Sequence, residues 1–298
     1  MIMKKIKIAV LGADGQLGQE FRHLHQSYEY MSFDFFSRDD CDIADQEEVR
    51  AVLLSENFDY VINCAAYTAV DKAESEQEEC FLINAKACQF ICNAIKGRHV
   101  RLVHFSSDYV YHVYNGFPLK ETERCIPSGI YAKSKLEGEN IIRASEIEAL
   151  ILRTSWVVSS FGHNFVKTML KLGKDKSELN VVNDQLGTIT YARHLASAVL
   201  NIITAMTSES ADQSLFNQTY NFSSEGITSW YDIADRIMKD EGLSCKVQSI
   251  TTAEYPTPAV RPLWSVMAKN KIREAFGLDI PHWFTALKEC LLAIKADQ

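Results

Sequence analysis

Ile6-Lys7-Ile8-Ala9-Val10-Leu11-Gly12-Ala13-Asp14-Gly15-Gln16-Leu17-Gly18 stands almost at the start of the chain, and its reading decides the fold. The first six residues are a continuous β-rich run, the pattern of a parallel strand buried on both faces. The next seven read Gly-x-x-Gly-x-x-Gly, and an amphipathic helical pattern runs on to about His25. Glycines between a strand and a helix permit a tight turn and let backbone amides at the helix N-terminus approach a pyrophosphate. Gly12, Asp14, Gly15, Gln16, Leu17 and Gly18 are therefore candidate contacts to a dinucleotide.

Outward from that turn, Tyr30–Phe36 reads as a second strand, followed by Ser37-Arg38-Asp39. The end of this strand is where a dinucleotide fold reads the adenine ribose. Arg38 suits a 2′-phosphate and favours NADPH, whereas Asp34 or Asp39 suits a free 2′-hydroxyl and favours NADH. Both signs are present, and NADPH is slightly preferred. Asp45 is expected to cap a helix to about Glu56. Tyr60–Asn63 is the next strand and runs into Cys64-Ala65-Ala66-Tyr67-Thr68, where small residues let the backbone sit close to a ligand. A long helix is expected beyond Ala69–Glu74, through Lys96. Its acidic group, Asp71, Glu74, Glu76, Glu78 and Glu79, reads as a solvated face rather than a metal site. Arg101–Tyr111 reads as a strand and then a polar turn, with the Ser106 and Ser107 hydroxyls at its carboxyl end. Ligands bind at that edge of a parallel sheet.

Tyr131-Ala132-Lys133-Ser134-Lys135 opens a predicted helix from Ile130 to about Glu146. Residues four apart share a helix face, so Tyr131 and Lys135 point into one cleft. A tyrosine ordinarily loses its proton near pH ~10. A neighbouring ammonium favours the phenolate and makes the phenol a general acid for an oxygen gaining negative charge. The hydroxyl of Ser107, about one loop earlier, is expected to reach the same oxygen.

Ala149–Thr154 is a further buried strand, followed by Ser155-Trp156-Val157. Beyond it the composition loosens. Helices are expected near Val166–Leu172, Arg193–Ala205, Trp230–Glu241 (capped by Ser229) and Trp283–Lys295. A strand and turn are expected in Val181–Gly187, a late strand in Tyr220–Phe222, a mobile loop at Ser208–Ser214, and an irregular proline segment carrying Arg261. The whole reads as α/β: a Rossmann-type doubly wound parallel sheet in residues 1–155 and a smaller C-terminal substrate-binding lobe in 156–298. A segment at about 181–205 is expected to return to the first part.

The chain has 298 residues, 47% hydrophobic and 23% charged, ample for a sizeable core. A net charge of -8 argues against a general nucleic-acid or membrane-surface binder. The eight cysteines include no Cys-x-x-Cys pair and no zinc spacing, and read as reduced thiols of a cytoplasmic protein. The apolar run in Met1–Gly15 is too short for a signal peptide, and no window approaches the length of a membrane span. No repeat is visible.

Several stretches resemble the dTDP-4-dehydrorhamnose reductases, extended short-chain dehydrogenases/reductases of nucleotide-sugar metabolism. They are Gly12–Gly18, Asn63–Glu74, Phe105–Tyr111, Tyr131–Lys135, Arg153–Val157, Asn164-Phe165, Val182–Gln185 and Arg261-Pro262, spread nearly end to end. The resemblance implies hydride delivery from NADPH (or NADH) to C4 of a dTDP-4-keto-6-deoxy-L-hexose, giving dTDP-L-rhamnose. It implies that Tyr131 protonates the oxyanion, that Lys135 lowers the tyrosine's pKa and binds the nicotinamide ribose, and that Ser107 holds the carbonyl oxygen. Asp42 and Ile43 correspond to the family's adenine site, Cys64, Ala65, Ala66 and Tyr67 to its dinucleotide contacts, and Asn84 to an asparagine that organises the active-site backbone. Substrate contacts fall on Thr68, Val70, Ser107, Asp108, Trp156, Asn164 and Arg261, the last paired with diphosphate. No metal is assigned, and a homodimer is left open.

The chain departs from the family pattern in Trp264 after Arg261-Pro262-Leu263, and in Tyr111-His112-Val113-Tyr114-Asn115-Gly116. These departures bear on sugar stereochemistry, rhamnose against 6-deoxytalose, more than on reaction type. Among rivals, a 4,6-dehydratase wants Asp-Glu after the catalytic hydroxyl, and here Tyr109 follows Asp108. An epimerase would keep NAD tightly bound. A non-catalytic regulatory subunit, such as the β subunit of methionine adenosyltransferase, would not need the intact Ser107, Tyr131 and Lys135.

Overall fold

The computed structural model describes residues 5–208 and 210–297. Five apolar runs form the strands β1 Ile6–Leu11, β2 Met31–Phe36, β3 Tyr60–Asn63, β4 Arg101–Ser107 and β5 Ala149–Thr154. Shorter strands follow: β6 Val157–Val158, β7 Glu178–Val182, β8 Leu186–Gly187, β9 Thr190–Tyr191, β10 Thr219–Asn221, β11 Thr228–Ser229 and β12 Lys246–Ile250. β1–β5 and β10 make a six-stranded sheet in the order β2-β1-β3-β4-β5-β10, every neighbouring pair parallel. The order reverses between β1 and β3. In a doubly wound sheet the crevice outside the carboxyl ends at that reversal is the ligand site.

The helices are α1 Gln16–Leu24, α2 Gln46–Ser55, α3 Val70–Ala73, α4 Gln77–Phe81, α5 Ala87–Ile95, α6 Ile130–Ala144, α7 Phe165–Asp175, α8 Ala192–Ala205, α9 Trp230–Asp240, α10 Asn270–Phe276 and α11 Trp283–Ala296. Alternation along β1 sends Ile8 and Val10 to one face, where Phe21 of α1 and Leu195, Val199 and Ile202 of α8 cover them. Ala9 and Leu11 go to the other face, under Leu53 of α2, Ile91 and Ile95 of α5 and Ile142 of α6. Burying each large aliphatic contributes about 1.5–3 kcal/mol, so a strand apolar on both faces has no stable exposed alternative. A third cluster gathers α7, β7, α9 and α11 around Val166, Met169, Val181, Ile233, Ile237 and Leu287.

Two caps follow the expected chemistry. The Asp45 carboxylate accepts from the Glu47 and Glu48 N–H groups at 2.8 and 3.1 Å. Ser229 and Asp232 form a reciprocal capping box on α9. The long helix expected through Lys96 is instead interrupted: α3 ends at Ala73, α4 starts at Gln77, and Leu82–Lys86 is a π-helical turn leading into α5. The strand and turn expected over Val181–Gly187 are the end of β7 and the turn after it, with β8 closing the segment; β12 and α10 were not foreseen. The expected loop Ser208–Ser214 includes Glu209, which lies outside the described residues, as do Met1–Lys4. Asp212 caps a short turn there by accepting from the Ser214 N–H at 3.0 Å. No helix among the described residues is long and apolar enough to cross a membrane.

Candidate active site

The glycine turn packs tightly against the loop after β3. Gly12 has φ +72°, a left-handed conformation that strains other residues, and a Cβ there would lie 2.6 Å from the Ala65 amide nitrogen. A Cβ on Gly18 would lie 2.5 Å from the Gly12 carbonyl oxygen, so α1 can begin close to β1 only with glycine there. Between turn, loop and α6 is a cavity of about 390 Å³. Gly12, Gly15, Gln16, Leu17, Arg38, Asp42, Ile43, Cys64, Ala65, Ala66, Thr68, Tyr131 and Lys135 all line it. A glycine floor at a helix start, apolar Ile43 beside cationic Arg38, and a tyrosine–lysine pair at the far wall fit a dinucleotide with its phosphates, adenosine and nicotinamide ends in that order.

Arg38 reaches the cavity with its side chain 71% exposed and paired to Asp42 at 3.2 Å. It is thus free to turn to a phosphate. Asp34 pairs with Lys7 at 3.4 Å, and neither it nor Asp39 lines the cavity. Asp14 also stays outside, exposed and 4.0 Å from Arg22. Tyr67 and Asn84 act behind the wall. Asn84, in the π-helical turn, accepts from the Tyr67 N–H at 3.0 Å and donates to the Tyr67 carbonyl at 3.0 Å. Its amide also donates to Ser134 Oγ at 3.0 Å, bracing the Cys64–Thr68 loop against α6. Such turns often mark functional sites.

α6 begins after Gly129, where the Glu74 carboxylate accepts from the Ile130 N–H at 2.9 Å. Glu76 accepts from the Tyr67 hydroxyl, and Asp71 pairs with Arg261. The acidic group read as a solvated face therefore has three members committed to the site's framework. Ser107 Oγ donates to Asp108 Oδ1 at 2.9 Å and accepts from the Tyr109 N–H at 3.2 Å. Lys135, 2% exposed, donates to the Phe105 carbonyl at 2.7 Å. The expected lowering of the tyrosine's pKa is absent. Burial pushes Tyr131 up to about 12; Ser107 draws it down, Asp108 pushes it up, and Lys135 does not figure. The ring of Tyr131 stands edge-on to Tyr109, with centroids 5.5 Å apart.

The expected substrate contacts divide. Thr68 lines the dinucleotide cavity, and Asp108 is buried beneath Ser107. Val70 opens α3, half-buried. Arg261 forks onto Asp71 at 3.1 and 2.7 Å and lines a second cavity of about 680 Å³, with Phe165, Gln185, Trp230 and Tyr255. Trp156 stacks on Trp230, 3.9 Å between centroids and 18° between planes, in a left-handed conformation with φ +46°. A Cβ on Gly187 would lie 2.8 Å from the Trp156 ring. Asn164 is a bracket rather than an open donor: it caps α7 and donates to Gln16 Oε1 at 2.9 Å and to the Ser159 carbonyl at 2.7 Å. Sequence reasoning missed Thr154, Val157 and Leu195, which also line the dinucleotide cavity. Thr154 ends β5 and Val157 opens β6 just beyond it, so the edge rule applied to Ser107 would have found them.

A glycine turn at the sheet's reversal, facing tyrosine and lysine across one cavity with the Ser107 hydroxyl beside the tyrosine, defines a dinucleotide-dependent oxidoreductase of the short-chain dehydrogenase/reductase class. Residues 6–296 match the family model described as the RmlD substrate binding domain. The chain is 36% identical over 297 residues to the dTDP-4-dehydrorhamnose reductase of Aggregatibacter actinomycetemcomitans, covering 95% of this chain and 97% of that one. It is 39% identical over 287 residues to the spore coat polysaccharide biosynthesis protein SpsK of Bacillus subtilis, covering 96% of each. A solved structure of dTDP-4-dehydrorhamnose reductase from Bacillus anthracis in complex with NADP matches with TM-score 0.90 and 30% identity, over 97% of this chain and 99% of that one. The chain belongs to the dTDP-4-dehydrorhamnose reductase family.

Proposed function

We infer that the chain is an NADPH-dependent reductase that converts the C4 ketone of a dTDP-4-keto-6-deoxy-L-hexose into the alcohol of dTDP-L-rhamnose. The observation that carries this reading is the placing of Tyr131 and Lys135 on the wall of a cavity floored by the glycine turn, with the Ser107 hydroxyl beside the Tyr131 phenol, in a chain matched nearly end to end by this family. The dinucleotide, when bound, supplies the hydride. Gly12, Gly15, Gln16 and Leu17 would hold its phosphates, Arg38 its 2′-phosphate, Asp42 and Ile43 its adenine, and Cys64, Ala65 and Ala66 its middle.

Tyr131 gives its proton to the C4 oxygen as that oxygen gains charge. With burial holding its pKa near 12, the phenol carries that proton throughout the neutral range. Ser107 fixes the oxygen. Lys135 sits at the cavity wall with its ammonium on the Phe105 carbonyl. Arg261, forked and cationic, suits the substrate's diphosphate. Residues after 155 supply most of the substrate side, and those before it most of the dinucleotide side. A homodimer remains compatible with this reading.

The test is loss of reduced-nicotinamide absorbance with freshly generated dTDP-4-keto-6-deoxy-L-lyxo-hexose, NADPH and NADH in parallel. Oxidation that requires the sugar and is faster with NADPH is expected, with NMR identifying the product as the L-rhamnose epimer. No oxidation with either cofactor, in protein that binds one of them, would overturn the reading.

A further inference from the structure

The Ser107 hydroxyl has one proton, and it is directed to Asp108 Oδ1 at 2.9 Å. The oxygen's acceptor side is already engaged by the Tyr109 N–H at 3.2 Å. While it points at Asp108, that single proton serves neither the Tyr131 oxygen, which Ser107 can also reach, nor a substrate oxygen. Asp108 itself is 3% exposed, and its second oxygen, Oδ2, lacks a well-formed hydrogen bond, with the Ser265 hydroxyl as the further polar neighbour of the carboxyl. An ionised carboxylate accepts at both oxygens, and a buried polar atom without a partner calls for an explanation. The neutral form lessens the cost: it leaves an uncharged oxygen without a partner, where the ion would leave part of a buried charge unpaired.

We propose that Asp108 is a positioning residue that works as the neutral acid, donating to Ser107 Oγ and so turning the Ser107 proton onto the substrate's C4 oxygen. The proposal rests on the reductase reading of the site. It replaces the direct substrate contact expected of Asp108 with action through Ser107. No proton is transferred in it; the Asp108–Ser107 hydrogen bond reverses direction, and a new one runs from Ser107 to the substrate. The surroundings favour the neutral form. Burial pushes the Asp108 carboxyl up to about 6, and only the Ser265 and Ser107 hydroxyls and the N–H groups of Asp108 and Tyr109 draw it back. No lysine or arginine is among them. The Tyr109 and Tyr131 phenols are the other titratable groups facing it, Arg261 and Asp71 acting in turn on Tyr109. An ionised Asp108 also hinders Tyr131 from releasing its proton, so both effects point the same way.

The acid must be protonated, so the rate falls as pH rises through its pKa. In kcat/KM, which reports the free enzyme, the fall begins at about 6. In kcat it begins higher, because bound substrate excludes water and disfavours the charge further. Asp108→Asn, whose amide donates at every pH, should lose this alkaline limb. Ser265→Ala removes a neighbour that favours the ion and should move the limb to higher pH. A limb unchanged in the asparagine variant, or unmoved in Ser265→Ala, would overturn the proposal. Carboxyl carbon NMR, wild type against Asp108→Asn, follows the same ionisation without turnover. A wild-type Asp108 titrating at the ordinary carboxylate value of about 4 would sink the proposal even if the reductase assay succeeds. A raised carboxyl in a protein that reduces no ketone would count against the reductase reading alone.

Discussion

A phenol is useful as an acid only while it holds its proton, and Tyr131 is buried enough to hold it. Tyr131→Phe should lower kcat by about 10²–10⁴-fold, the usual range for a positioned proton donor. NADPH affinity, measured by fluorescence titration, should stay within about twofold, because the ring and its contact with Tyr109 remain. Undiminished turnover would remove Tyr131 from the mechanism. The spacing from Tyr131 to Lys135 was legible in the sequence because helix periodicity is local. The electrostatics were not, because the Phe105 carbonyl that takes up the Lys135 ammonium comes from a strand 30 residues away. Arg38 was ambiguous in sequence beside Asp34 and Asp39. Only the sheet register, which pairs Asp34 with Ala9 and so leaves it diagonal to Lys7 on the same face, separates them.

α6 is fastened at both ends, and the fastening at its far end is ionic. Glu139, fully buried, takes Arg153 of β5 bidentately at 2.9 and 2.7 Å and Arg143 at 2.5 Å. Removing one partner of a buried pair leaves a charge uncompensated and costs about 3–5 kcal/mol. Glu139→Gln should lose that much in urea unfolding at pH 7. Burial pushes the carboxyl up, but the Arg153 and Arg143 guanidiniums hold it below the usual range. A folded-state pKa below the unfolded one, near ~4.3, gives stability present above that value and lost as pH falls through the lowered one. The wild type should therefore weaken below about pH 4 by more than the glutamine variant does. Equal acid sensitivity would show that the pair contributes nothing to it. Strands β1–β5 were readable as apolar runs. β6, β8, β9 and β11 are two residues each and exist only through pairing with distant partners. β12 reads Lys-Val-Gln-Ser-Ile and is mostly exposed, so no apolar signal marked it. The π-helical turn at Asn84 has the composition of ordinary helix, and tertiary hydrogen bonds set it.

Asp71, beside the β3 loop, and Arg261, in the proline segment 190 residues later, tie the two ends of the chain across the site. If diphosphate takes Arg261, it competes with this carboxylate, which the guanidinium already holds below its ordinary range. Asp71→Asn should then lower KM for the dTDP sugar severalfold while leaving KM for NADPH unchanged, read by steady-state kinetics. A raised sugar KM would instead make Asp71 a substrate ligand. The sequence carried both residues, but nothing in it paired them; long-range partners are visible only once the sheet has brought the segments together.

The stacking of Trp156 on Trp230 has a consequence of another kind. Two indoles stacked 3.9 Å apart in nearly parallel planes share their excited states, and in a chain of four tryptophans such a couple leaves its own paired bands in circular dichroism. One of the two rings stands directly after β5 and the other on α9, so the seating of one segment on the other carries an optical signature of its own, readable without any label.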